Sequence, residues 1–113
     1  MNGQYILNAD NIPVAEPDLL KWGKWMGLVD RGIIETTIGK RWISTVFLGL
    51  DHQYGDGPPL LYETMVFPIK GSEPHMVDEI CKRYTTREKA IEGHEKIVNE
   101  LRAIYESNLT TTE

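Results

Sequence analysis

Asp51, His52 and Asp56 stand close together in LGLDHQYGDGPPLLYETMVF, Leu48 to Phe67, and Glu63 follows in the same stretch. A carboxylate beside an imidazole can do general acid–base chemistry, with Asp51 or Glu63 as base and His52 as its partner, as in hydrolysis of a nucleotide. The stretch could equally hold a ligand without reacting. Gly55 and Gly57 leave backbone amides uncovered, while Pro58 and Pro59 stiffen one side, so the loop makes a plausible binding rim. Turn chemistry is the plainer account: Asp51 bonds its own backbone, and His52 is an ordinary loop histidine.

Nothing else in the chain completes a catalytic constellation. His52, His75, His94, Asp51 and Glu63 could supply metal ligands, but they show neither HExxH spacing nor paired cysteines, so no metal or cofactor is expected. Cys81 lies beside Lys82 and Arg83 and has no identifiable base. His94, on an apolar helix face, reads as a hydrogen-bonded core histidine. A nucleotide-type ligand would use Arg41 and Arg83 on phosphate and Tyr54 and Trp42 on a base. Glu63, between Tyr62 and Thr64, needs a cation if its face is buried: Arg41 of the neighbouring strand most simply, or a Lys or Arg from elsewhere.

The elements that position these residues follow from hydrophobic period and punctuation. QYILN predicts a strand that ADNIPVAEP stops. Pro17, Asp18 and the spacing of Leu19, Trp22, Trp25, Met26 and Val29 predict a helix over about Pro17 to Asp30. Gly23 and Gly27 within it suggest close contact with a sheet, or else a bare face meeting another subunit or a ligand. IIETTIG, RWISTVFLGL and PLLYETMVF then alternate with period two and predict an antiparallel meander, with a tight turn at Gly39–Lys40 and a longer loop over Leu50–Pro58. DEICKRY suits a further short strand. Thr85 with Glu88 three residues on reads as a capping box, opening an amphipathic helix with Ala90, Ile91, His94, Ile97, Val98, Leu101, Ile104 and Tyr105 on its apolar side.

The fold expected is α+β: a small antiparallel sheet of three to five strands packed against two amphipathic helices, one domain over 1–106, and a polar tail at 107–113. The chain's 113 residues are enough for a single core, and 41% apolar with 26% charged residues is an ordinary globular balance. The net charge of −5, from 17 acidic and 12 basic residues, argues against nonspecific nucleic-acid binding. A single cysteine, a start unlike a signal peptide and no run near ~18 apolar residues predict a cytoplasmic protein that does not enter membranes.

The segments TTIG, STVFLGLDH, GPPLLYETMVF and YTTREKAIEGH resemble a family of short uncharacterised proteins of tailed bacteriophages and prophages. The resemblance runs from about Tyr5 to Leu101 and is densest around the opening stretch. It implies a phage context and a compact fold. By analogy of context, a small accessory phage protein without catalytic machinery counters host antiviral defence by binding, either sequestering a nucleotide-type signal or blocking a defence protein. A homo-oligomer in the host cytoplasm is expected, with Asp51, His52, Tyr54, Gly55, Gly57, Glu63, Arg41, Trp42 and Arg83 forming or supporting the binding surface. The alternatives are a small nucleotide-processing hydrolase using Asp51, His52 and Glu63, or a phage assembly component.

Overall fold

A computed structural model describes residues 3–53, 55–68 and 81–111. The described elements run β1 (Tyr5–Leu7), β2 (Pro13–Ala15), α1 (Leu19–Leu28), β3 (Gly32–Ile38), β4 (Arg41–Phe47), β5 (Tyr62–Pro68), β6 (Cys81–Tyr84) and α2 (Arg87–Thr111). The architecture is α+β: β3-β4-β5-β6 form an antiparallel four-stranded sheet, β1 and β2 a separate antiparallel pair. The residues expected only to stop the first strand thus contain the second. Pro13 begins β2, where its missing N–H is harmless. The Asn8 side chain closes the connecting turn by accepting from the amides of Asp10 and Ile12.

Alternation assigns the faces of the large sheet. Ile43, Thr45 and Phe47 of β4 and Tyr62, Thr64 and Val66 of β5 are buried on one side, together with Ile38. Onto that side packs α2, whose Ala90, His94, Ile97, Val98 and Leu101 recur at helical spacing and are all buried. Ile38, Ile43, Val66, Ile97, Val98 and Leu101 form one apolar cluster; Phe47, Leu61, Tyr62 and Ala90 form a second, against which Trp25 and Tyr84 pack. Gly93 permits that last contact: a Cβ there would collide with the Tyr84 ring.

The α2 cap falls one residue later than expected. Thr86, rather than Thr85, accepts from the Lys89 amide at 3.1 Å, and Glu88 stands in the first turn beside the positive end of the helix dipole. The helix continues through Thr111, past the predicted start of a tail at 107. In α1, Asp18 is the N-cap, accepting from the amides of Leu20 and Lys21. No residue of α1 is fully buried. The expected contact of Gly23 and Gly27 with a sheet is not what the structure shows, because a Cβ at either would meet nothing within 4 Å.

Between the apolar clusters lies a buried polar chain. His94 Nε2 is 2.8 Å from Thr36 Oγ1, His94 Nδ1 is 2.7 Å from Thr45 Oγ1, and Thr45 Oγ1 in turn hydrogen-bonds Thr64 Oγ1. Thr45, Thr64 and His94 have no solvent exposure. A neutral imidazole carries one N–H and one lone pair, and each hydroxyl both donates and accepts, so the chain can be satisfied end to end without a charge. Burial lowers the His94 pKa below the ordinary histidine value, against a smaller opposing effect of Glu95.

The sign of the resulting pH dependence follows. The unfolded chain takes up a proton on His94 as pH falls through ~6.5, while the folded state resists it, so stability is full above that pH and declines below it. The free energy of unfolding in urea should therefore fall between pH 8 and pH 5, with a slope of at most about 1.4 kcal/mol per pH unit below ~6.5. His94→Gln should be less stable at pH 8 and show a shallower fall; an equal pH slope in the two proteins would remove His94 as its cause.

Candidate functional site

The loop that joins β4 to β5 is first a piece of scaffolding. Asp51 Oδ1 accepts from the Gln53 amide at 2.8 Å and from the Leu60 amide at 2.9 Å, pinning the two sides of the loop together. Backbone bonds from Leu48 to Leu61 and from His52 to Leu60 extend the closure. The turn reading of Asp51 is therefore the observed one for this oxygen. Gly55 and Gly57 are exposed, His52 is half-buried, and Tyr54 lies outside the described residues, as does His75.

Just before this loop, Gly49 ties the N-terminal elements to the sheet. Its carbonyl accepts from the Tyr5 amide at 2.8 Å and from Trp22 Nε1 at 3.0 Å. Gly49 has φ +80, and a Cβ on it would stand 2.6 Å from Met26 Sδ, so both backbone angle and space require glycine. The Gly3 carbonyl accepts from the Asp51 amide, adding a second tie. Trp25 completes the attachment by meeting Phe47 edge-on, with ring centroids 5.9 Å apart.

The remaining sequence-nominated residues separate along the sheet. Trp42 lies on the face opposite α2, its ring 5.1 Å from that of Phe67. Glu63 and Arg83 lie farther along that face, in the row Val46–Glu63–Arg83. Glu63 finds its cation in Arg83, with Arg83 Nε donating to Glu63 Oε2 at 2.9 Å. Arg41 does not fill that role: it stands opposite Pro68, five register positions from the Val46–Glu63 pair. The Arg83 side chain is 42% exposed and that of Glu63 12%, so water screens the pair and its contribution is modest, about 0–1 kcal/mol.

Cys81 joins this cluster as a donor, with Sγ 3.3 Å from Glu63 Oε2. Desolvation, then the hydrogen bond to Glu63 and its negative charge, push the thiol pKa up, opposed by Arg83. The cationic neighbourhood read from Lys82 and Arg83 is thus outweighed, and Cys81 is held as a thiol rather than activated as a nucleophile.

Arg41, Trp42 and Arg83 lie apart: Arg41 alternates onto the α2 side of β4 and Trp42 onto the other, and Arg83 stands in the row of Val46, four positions from Trp42. One open concavity, lined by Asp30, Gly32, Ile33, Ile34 and Glu35 along β3, has a volume of about 200 Å³, below the ~300–1,000 Å³ usual for small-molecule sites. Among the described residues, no group of three or more His, Cys, Asp and Glu side chains could hold a metal ion, and no helix is long and apolar enough to cross a membrane.

A different surface stands out, on α1. Its inward residues are Trp22, Trp25 and Met26. Its outward stripe is Leu20, Gly23, Lys24, Gly27 and Leu28, with Leu19 at the margin; Leu19, Leu20 and Leu28 are 64%, 85% and 77% exposed. Sequence periodicity marked the glycines but could not show that their side of the helix is open. Comparison of the chain with protein-family models, curated proteins and solved structures finds no match.

Two outcomes distinguish scaffold from chemistry here. Asp51→Ala leaves the Gln53 and Leu60 amides without their acceptor and should destabilise the fold by about 1–3 kcal/mol in urea unfolding, whereas Glu63→Gln should change stability by less than about 1 kcal/mol. Cys81 should react with iodoacetamide more slowly at pH 7 than a free cysteine, its rate rising with a midpoint above ~8.5. A faster reaction would mean an activated thiolate.

Proposed function

We propose that this chain is a noncatalytic, phage-encoded protein that counters host antiviral defence by binding and blocking a defence protein in the bacterial cytoplasm. The phage context rests on the resemblance of the segments around Leu48–Phe67 and Tyr84–His94. The observation that carries the binding mode is the outward face of α1, where Leu20 and Leu28 flank the bare backbone at Gly23 and Gly27.

Exposed leucines on a surface helix are an unfavourable arrangement in water and a common mark of a protein-binding face. Leu19, Gly23 and Gly27 succeed one another four residues apart, so past Leu19 the helix is bare over two glycines ~6 Å apart along the axis, a notch with Leu20 and Leu28 along one side. A bulky apolar side chain of a target can enter that notch and reach the helix backbone, with the leucines closing around it. The target supplies the knob and α1 the hole, as in knobs-into-holes packing. Lys24, between Leu20 and Leu28, and Lys21 beside the stripe favour a target with acidic residues around its apolar anchor. In this reading the loop at Asp51 positions the binding helix through Gly49 and does not itself contact the target.

The test uses the two glycines. With open space around them, replacing either should strengthen the helix, so Gly27→Leu should raise stability by about 0.5–1 kcal/mol while filling the notch. Expressed in bacteria armed with an antiviral system, the wild-type chain should raise the plating efficiency of a restricted phage. Gly27→Leu should lose that effect despite being more stable. No rescue against a panel of defence systems, or full rescue by Gly27→Leu, would refute this reading.

A further inference from the structure

β3 ends the four-stranded sheet and is hydrogen-bonded to β4 on one side. Among the described residues, no strand pairs with its other side. The two-residue turn at Gly39–Lys40 makes Ile38 and Arg41 a hydrogen-bonded pair. Ladder alternation then directs the N–H and C=O groups of Ile34, Thr36 and Ile38 toward β4, and those of Glu35 and Thr37 outward. A free strand edge is a ready acceptor for another strand, and proteins commonly blunt it with proline, lysine or a bulge. β3 has a register irregularity between Gly32 and Ile34, but from Ile34 to Ile38 it is regular and carries neither proline nor lysine.

We infer that β3 pairs with β3 of a second copy of this chain, antiparallel about a twofold axis through Thr36, joining the two sheets edge to edge. The register is selected by the side chains. Centring on Thr36 sets Glu35 opposite Thr37 of the partner subunit, and these outward-directed residues exchange both backbone hydrogen bonds. On the α2 side it sets Ile34 against Ile38 of the partner subunit and Thr36 against its own copy, so β-branched residues meet β-branched residues. Centring on Glu35 would oppose two like charges and bring the irregular Gly32–Ile34 segment into the ladder. Centring on Thr37 would lose the Ile34–Ile38 match and place Glu35 against the turn at Gly39. Only the Thr36 register is self-complementary in charge, apolarity and backbone pairing.

The pairing covers the half-buried Ile34 and Thr36, the latter already bonded to His94. It is independent of what α1 binds. Its consequence for binding is two α1 faces carried by one rigid sheet, the arrangement that gives avidity toward a target that is itself oligomeric.

Sedimentation velocity of the purified chain tests the pairing. The wild type should sediment at twice the 12.9 kDa chain mass. Thr37→Pro should sediment as the single chain: proline is tolerated where the N–H faces away from the ladder, but it removes an intersubunit donor and obstructs the approaching strand. Thr37→Val should remain paired. Hydrogen exchange on the wild type is an independent reading should Thr37→Pro fold poorly, because the Glu35 and Thr37 amides should exchange at least about tenfold more slowly in concentrated than in dilute protein. A wild type that is monomeric at every concentration overturns the inference. So does a dimer whose Glu35 and Thr37 amides exchange freely, or one that folded Thr37→Pro leaves intact.

Discussion

His94 sits without solvent contact between Thr36 and Thr45, with both ring nitrogens in hydrogen bonds and Thr64 completing the chain. Leucine in its place would ask less of the surrounding structure. A buried imidazole requires a hydroxyl at each nitrogen, and the three threonines that answer this requirement lie on β3, β4 and β5. The helix can therefore meet all three strands only at one height and one rotation, because an unpaired buried nitrogen is costly. Apolar packing of Ile97, Val98 and Leu101 supplies attraction, and the polar chain supplies register.

With α2 fixed on one face, the N-terminal elements attach at the end of the sheet through the Gly49 carbonyl, which serves both the Tyr5 amide and the Trp22 indole. That attachment consumes the aromatic side of α1 and leaves the leucine–glycine side outward. The acidic and glycine-rich stretch from Asp51 to Gly57 then has a mechanical role. Its first carboxylate closes the loop, the closed loop fixes the exit of β4, and the exit of β4 presents Gly49. The residues that close the loop are thus distinct from those on the outward face of α1, with the indole of Trp22 as the physical link between them.

The period-two runs and the amphipathic pattern from Ala90 to Leu101 made the main sheet and second helix legible from sequence, because these patterns reflect burial on one face. Asp51 as a turn residue and His94 as a bonded core histidine were also legible in kind. What escaped depends on distant partners. Pro13 looked like a stop and instead opens an edge strand. Thr85 has the capping-box spacing to Glu88, yet Thr86 takes the cap, and that one-residue shift is not written in the local pattern. Glu63 could be expected to seek a cation, but the choice of Arg83 over Arg41 is set by the β4–β5–β6 register. Gly93 makes room for Tyr84 from another element, and Gly23 and Gly27 face open space, neither of which a helical wheel displays. The exposure of the α1 stripe was not legible either, because its leucines and glycines carry no chemical signature until their surroundings are known.

The most direct test of this division of labour is a scan of all single substitutions, scored in parallel for abundance of folded protein and for phage plating in a defended host. The account predicts that variants at Asp51, Gly49 and His94 lose plating only as far as they lose abundance, while those at Leu20, Gly23, Gly27 and Leu28 lose plating at full abundance. If α1 tolerates substitution and the abundance-independent losses gather instead at His52, Glu63 or Trp42, then α1 is not the binding face and the function lies in the loop or on the open side of the sheet.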